Sequence, residues 1–151
     1  MGNFFTDTVQ RDARLHSLER VADAALLWPP FRIKIARIIR RATERKQEFV
    51  LFETFRSVER QAALFEQGRS KLRRVGVHHY GLAADLVRRV NGQLDWEADY
   101  ALVGELARAE GLVWGGEWKS FPDVVHIQAI PVALQAKLFA GNYYPSFPPT
   151  R

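Results

Sequence analysis

One stretch, Phe49-Val50-Leu51-Phe52-Glu53-Thr54-Phe55, limits the fold more than any other. It is too short for a helix of its own, and its aromatic and β-branched content suits a strand buried in a sheet. A buried strand has backbone amides and carbonyls along both edges, and these need partners from other strands. Two segments supply them: residues 81–90, followed by the turn pair Asn91-Gly92, and residues 124–130. Around them the pattern is helical. Apolar positions at Leu15, Leu18, Val21, Ala22, Ala25 and Leu26 predict a helix over residues 6–27, stopped by Pro29 and Pro30. Phe31, Ile35, Ile38, Ile39 and Ala42 predict a second over about 30–46, ringed by arginine and lysine. Ser57 reads as the N-cap of a helix reaching Gln67 and closed by Gly68. Further helices are expected over 99–110, closed by Gly111, and over 131–140, closed by Gly141. Residues 69–77 read as a basic loop and 113–118 as a glycine-rich turn. Helices and strands do not alternate regularly, which predicts an α+β fold: a small antiparallel β-sheet flanked by helices. Residues 1–141 are expected to form a single domain, with 142–151, which hold three prolines, as a tail strapped over its surface.

The 151 residues include no cysteine. Disulfides, thiolate metal sites, iron–sulfur clusters and cysteine nucleophiles are therefore excluded, and any metal must be held by His, Asp or Glu. A formal charge of +5 favours a polyanionic partner. The basic runs suit anionic wall or membrane polymers, although such runs are most often solvated faces. No nucleic-acid-binding motif accompanies them, so no nucleic-acid partner is expected. No apolar run approaches the roughly 20 residues that cross a bilayer, so no integral membrane segment is expected either. The first residues lack the basic and apolar regions of a secretory leader, which predicts a chain made in the cytoplasm. A monomer is expected.

Three clusters carry candidate chemistry. In His78-His79-Tyr80-Gly81-Leu82-Ala83-Ala84-Asp85, a histidine at a turn precedes an aspartate in mid-strand, where an unpaired carboxylate is costly to bury. In Asp123-Val124-Val125-His126-Ile127-Gln128, strand alternation turns His126 and Gln128 one way while Val125 and Ile127 face the core. Two imidazoles and a carboxylate (His78, His126 and Asp85) make a recognised catalytic Zn2+ site with one position left to water. Hydrolysis then needs a second, non-ligating carboxylate to move protons, and Asp123, three residues before His126, is the candidate. The third cluster places Arg56 at a strand–helix junction, where a fixed guanidinium could grip a carboxylate or offset an oxyanion. Arg56 could instead only pair with Glu53 or Glu59. Gln61, Tyr80, Trp114 and Trp118 are candidate substrate contacts, with the alternative that the glutamine supports its helix and the aromatics fill the core.

The succession Arg-Ser-x-x-Arg-Gln, His-x-Tyr-Gly-Leu-Ala-x-Asp, Trp-Gly-Gly-x-Trp-Lys-Ser and Asp-x-x-His-x-Gln resembles the zinc peptidoglycan peptidases of the D-alanyl-D-alanine carboxypeptidase class. It is most similar to the L-alanyl-D-glutamate endopeptidases found among phage endolysins. The resemblance covers residues 49–128. It implies a Hedgehog-like fold, zinc on His78, Asp85 and His126, Asp123 as general base, and Arg56 assisting substrate or transition state. Peptidoglycan stem peptides are the implied partner, reached at the cell wall after release. Two positions depart from the family's habit: Gly76 stands where Ser or Thr is usual, and Glu117 where Asp is. A D-alanyl-D-alanine carboxypeptidase or dipeptidase, and a non-catalytic metal-stabilised module that binds a polyanion, are the competing expectations.

Overall fold

The aromatic run forms strand β1 (Glu48–Glu53), and it lies against β2 (Ala83–Val90) in the computed structural model, which describes residues 2–70 and 75–146. With β3 (Gln93–Leu94), β4 (Val113–Trp114) and β5 (His126–Gln128), these strands make a five-stranded sheet. Its order is β1-β2-β5-β4, β3 pairs with β2, and the paired strands are antiparallel. Asn91 and Gly92 both take positive φ, 52° and 79°, the two-residue turn that matches the twist of a hairpin.

The described residues form five α-helices: α1 (Phe4–Asp7), α2 (Pro29–Glu44), α3 (Val58–Glu66), α4 (Ala101–Ala109) and α5 (Gln135–Phe139). The apolar stripe of α2, Phe31, Ile35, Ile38 and Ala42, is buried with Leu86, Val87 and Ile127 of the sheet and Val103 and Leu106 of α4. Each of these side chains other than Ala42 contributes about 1.5–3 kcal/mol when removed from water. Leu86 and Ile127 put most of this core under one face of the sheet, and Asp85 and His126 alternate to the other, which Val87 shares. Ser57 accepts the Arg60 amide and caps α3, and Gly68 follows that helix with φ 72°. Among the described residues, no helix is long and apolar enough to cross a membrane.

The helix expected over residues 6–27 does not form. That stretch holds the end of α1, two single 3-10 turns at Val9–Arg11 and Ala24–Leu26, and between them a hydrogen-bonded turn over residues 13–16 and irregular chain. Asp12, Ser17 and Asp23 each accept the amide two residues ahead, a local bond that competes with a helix. The carbonyls that a helix would use internally go elsewhere. Val21 O accepts the Thr54 amide at 2.7 Å, Asp23 O accepts the Thr54 hydroxyl, and Ser17 O accepts from Ser57. The segment is a strap across the end of β1, and Leu18 lies 63% exposed on it.

Smaller corrections follow the same logic of short pieces. The expected strand over 124–130 shrinks to β5, the turn over 113–118 begins with β4, and the last helix divides into a 3-10 turn at Val132–Leu134 and α5. Of the basic loop, residues 71–74 lie outside the described residues, as do 147–151 of the expected tail. Before that point Tyr143 and Tyr144 pack beside Val77, Leu82 and Leu138, and the Tyr144 hydroxyl donates to Tyr80 O at 2.8 Å.

Candidate active site

Sheet register assembles the site. Asp85 of β2 stands opposite His126 of β5 on one side and opposite Glu53 of β1 on the other. Leu51 pairs with Leu86, so strict alternation would set Phe52 against Asp85. A bulge between Leu51 and Glu53 inserts one residue and brings Glu53 into the row instead. Three polar residues from three strands therefore lie side by side: Glu53, Asp85 and His126.

His78 joins them from the 3-10 turn Val77–Tyr80 that leads into β2. The turn is tied to the chain after β1: Thr54 O accepts from His78 Nδ1 at 3.0 Å, and His78 O accepts the Arg56 amide. It ends at Gly81, φ 75°, where an added Cβ would lie 2.6 Å from Leu26 O. Neither that conformation nor that space accepts a side chain readily.

His78, Asp85 and His126 are all buried, and their ligand-type atoms lie within 4.8 Å of one another. His78 Nε2 is 3.2 Å and His126 Nδ1 3.7 Å from Asp85 Oδ1, yet Oδ1 has no hydrogen-bond partner. Burial alone would raise the Asp85 carboxyl, but the nearby His78, His126 and Arg56 outweigh it and hold it well below the usual range. Burial disfavours a charged His126, and Asp85 and Asp123 overcome this and raise the ring. Around this point Glu53, Asp85 and Asp123 face Arg56 and Arg60. An orphaned buried oxygen and two imidazole nitrogens aimed at it together fit a metal cation.

Arg56 Nη2 bridges Glu53 Oε1 at 2.9 Å and Asp85 Oδ2 at 3.3 Å, while Nη1 donates to Gln61 at 3.1 Å. Arg60 reaches Glu53 Oε2 at 2.6 Å. The pairing with Glu53 that the sequence left open is thus present, and Glu59 pairs with His16 instead. Glu53 itself was not a candidate. Its signal was visible, since an acid within a buried aromatic strand must have partners.

A cleft of about 880 Å³ opens over the triad, lined by Arg56, Gln61, Trp118, Phe121, Asp123 and Gln135, among others. Asp123 is open to water, but the surrounding walls push its carboxyl upward and the Asp85 charge adds to this. Its backbone is held against Gly115, where an added Cβ would lie 2.5 Å from Asp123 O and 3.2 Å from His126 Cβ. That close approach explains the glycine after Trp114. The Trp118 ring centroid lies 5.1 Å from that of His126.

Two expected cleft residues are elsewhere. Tyr80 packs on Phe5 and Phe139 beside a separate groove, and Trp114 packs on Gly104 and Gly116 with its indole N–H donating to Val124 O. Both serve packing. Glu117 is bound at the surface by Arg108.

The sequence pattern described as D-alanyl-D-alanine carboxypeptidase matches residues 70–129. The chain is 33% identical over 103 residues to the peptidoglycan L-alanyl-D-glutamate endopeptidase CwlK of Bacillus subtilis (strain 168), covering 56% of this chain and 62% of that protein. It is 35% identical over 85 residues to the L-alanyl-D-glutamate peptidase of Listeria phage A118, covering 54% of this chain and 30% of that one. It therefore spans less than two thirds of either relative's length. The crystal structure of the Serratia marcescens L-Ala D-Glu endopeptidase ChiX superposes with TM-score 0.52 and 32% identity, over 77% of this chain and 95% of that one. The L,D-carboxypeptidase DacB from Streptococcus pneumonia shares the fold at TM-score 0.50 and 18% identity, over 76% of this chain and 72% of that one. With the family pattern in place, a likeness that takes in nearly all of ChiX, and a His–Asp–His group on the sheet, the chain belongs to the D-alanyl-D-alanine carboxypeptidase family of metallopeptidases.

Proposed function

We propose that this chain is a zinc-dependent peptidoglycan peptidase that hydrolyses the L-alanyl–D-glutamate amide bond of stem peptides. The observation that carries the reading is the convergence of His78, Asp85 and His126 beneath a cleft that also holds a carboxyl outside that trio, Asp123. The relatives named for that bond, CwlK, the phage enzyme and ChiX, support the choice of substrate.

His78 Nε2, an Asp85 oxygen and His126 Nδ1 would hold the ion. A dication on such ligands acidifies water and polarises a carbonyl. The remaining work falls to the chain's own groups. Asp123 takes a proton from the attacking water and delivers it to the departing nitrogen, and its raised affinity for protons suits that exchange. Arg56 holds a positive charge beside the reacting carbonyl. That fixed charge offsets the charge of an oxyanion. Gln61 and Glu53 keep the guanidinium plane fixed. Trp118 and Phe121 offer apolar walls to the peptide.

Digestion of purified peptidoglycan, with and without a chelator, tests the reading by mass spectrometry of the muropeptides. New D-glutamate amino termini that disappear with chelator and return with Zn2+ are expected. Free D-alanine with no new D-glutamate terminus identifies a carboxypeptidase on the same site. Hydrolysis indifferent to chelator refutes the mechanism.

A further inference from the structure

We infer that Gln128 is a positioning residue: its side-chain amide fixes which ring nitrogen of His126 carries hydrogen, and so which one is offered to a metal. The inference rests on the metal-site reading above and adds a residue to it.

Gln128 is two residues beyond His126 on β5 and therefore shares its face. It is 1% exposed, so its polar atoms must find partners within the protein. Oε1 lies 2.8 Å from His126 Nε2, and Nε2 of the amide lies 2.8 Å from both Ile130 O and Gln135 Oε1. Amide oxygen and nitrogen look alike in shape, so the orientation must be argued from partners. Ile130 O is a backbone carbonyl and can only accept. The –NH2 end of Gln128 must face it, and the oxygen must then face His126. An acceptor oxygen opposite His126 Nε2 requires an N–H there. In a neutral imidazole this leaves the lone pair on Nδ1, the atom directed at Asp85.

His78 reaches the same end through the opposite nitrogen. Thr54 O takes its Nδ1–H, leaving Nε2 toward Asp85. One ligand histidine is thus set by a backbone carbonyl, which substitution cannot remove, and the other by a side chain, which it can. Gln135 lines the cleft and lies against the far end of the amide, so the chain of contacts runs from His126 to the cleft wall.

Zinc affinity, measured by competition with a chelating dye, and long-range 1H–15N NMR of the zinc-loaded protein test the inference. Gln128→Leu removes the acceptor and is expected to weaken zinc binding about 10–100-fold. Gln128→Glu keeps an acceptor oxygen and is expected to stay within a few-fold of wild type, even with lower thermal stability. The NMR spectrum should show His126 protonated at Nε2. Equal affinity in a folded Gln128→Leu, equal losses in both variants, or hydrogen on Nδ1 in the loaded wild type overturns the inference. Wild-type chain that takes up no zinc overturns the metal-site reading and this inference with it, whereas wild-type uptake with an unaffected Gln128→Leu overturns only the role of Gln128.

Discussion

Replacing Glu53 with alanine should destabilise this protein more than removing any surface charge. The carboxylate is only 3% exposed and faces Arg56 and Arg60, themselves 14% and 13% exposed, across contacts of 2.9 and 2.6 Å. Attraction between unit charges 4 Å apart is about 4 kcal/mol at an effective dielectric of 20, so two contacts give roughly 8 kcal/mol gross. Burying three charged groups takes back much of that. Measured losses on removing one member of a buried ion pair are about 3–5 kcal/mol, because the partner is left charged and dry. Arg60 would lose its carboxylate while Arg56 keeps Asp85 at 3.3 Å, so a loss within that range applies. Set against a typical total of about 5–15 kcal/mol, this is a fifth or more of the stability. It corresponds to a fall in Tm of about 6–20 °C for a domain of this size. Glu53→Gln keeps one acceptor oxygen and should lose less, about 1.5–3 kcal/mol. Acid supplies a second check. Burial pushes the Glu53 carboxyl up, but bonds from Arg56 and Arg60 outweigh it and hold it below its ordinary value. A folded-state value below the unfolded one means the stabilisation is present above about pH 4.3 and fades as pH falls through the folded value. Urea unfolding at pH 7 should therefore separate wild type from Glu53→Gln, and the gap should narrow at pH 3. A Glu53→Ala midpoint within 1 kcal/mol of wild type at pH 7, with unchanged slope, refutes the argument.

Three other outcomes are expected. Asp123→Asn should retain zinc by elemental analysis and unfold like wild type, yet lose about 10²–10⁴-fold in muropeptide cleavage. Gly81→Ala forces a side chain into φ 75° and against Leu26 O, so it should destabilise by at least the roughly 1–2 kcal/mol of the left-handed region, read as a lower Tm. Glu110 accepts two bonds from Arg37, at 2.7 and 2.8 Å, and the first effect of that arginine is to lower its carboxyl against a smaller opposing effect of burial. The wild-type advantage over Glu110→Gln should thus be complete at neutral pH and disappear on acidification, as followed by urea midpoints at pH 7 and pH 3.

What could be read ahead of the structure was whatever depends on neighbours in sequence. Strand alternation puts His126 and Gln128 on one face, Ser57 is a local cap, and Asn91-Gly92 is a local turn. The helix over residues 6–27 failed for a reason no periodicity contains. Its apolar spacing was real, but Val21, Asp23 and Ser17 give their carbonyls to Thr54 and Ser57, more than thirty positions away. Tyr80 and Trp114 failed similarly, since an aromatic beside a motif is equally able to turn from it, and here the indole N–H of Trp114 finds Val124 O on the packed side.

Glu53 is the most instructive case, because its place depends on a single residue of register. Without the bulge after Leu51, Phe52 would stand opposite Asp85 and the acid would alternate to the other side of β1. Arg56 would then lose its partner at 2.9 Å and keep Asp85 as its carboxylate within ion-pair distance among the described residues. A guanidinium held by Asp85 alone competes directly for the carboxylate that the metal reading needs. With Glu53 in the row, Nη2 is shared, Asp85 binds the arginine through Oδ2, and Oδ1 is left without a hydrogen bond between the two imidazoles. The bulge thus divides the labour between two acids, Glu53 anchoring the arginine so that one oxygen of Asp85 stays open to a cation.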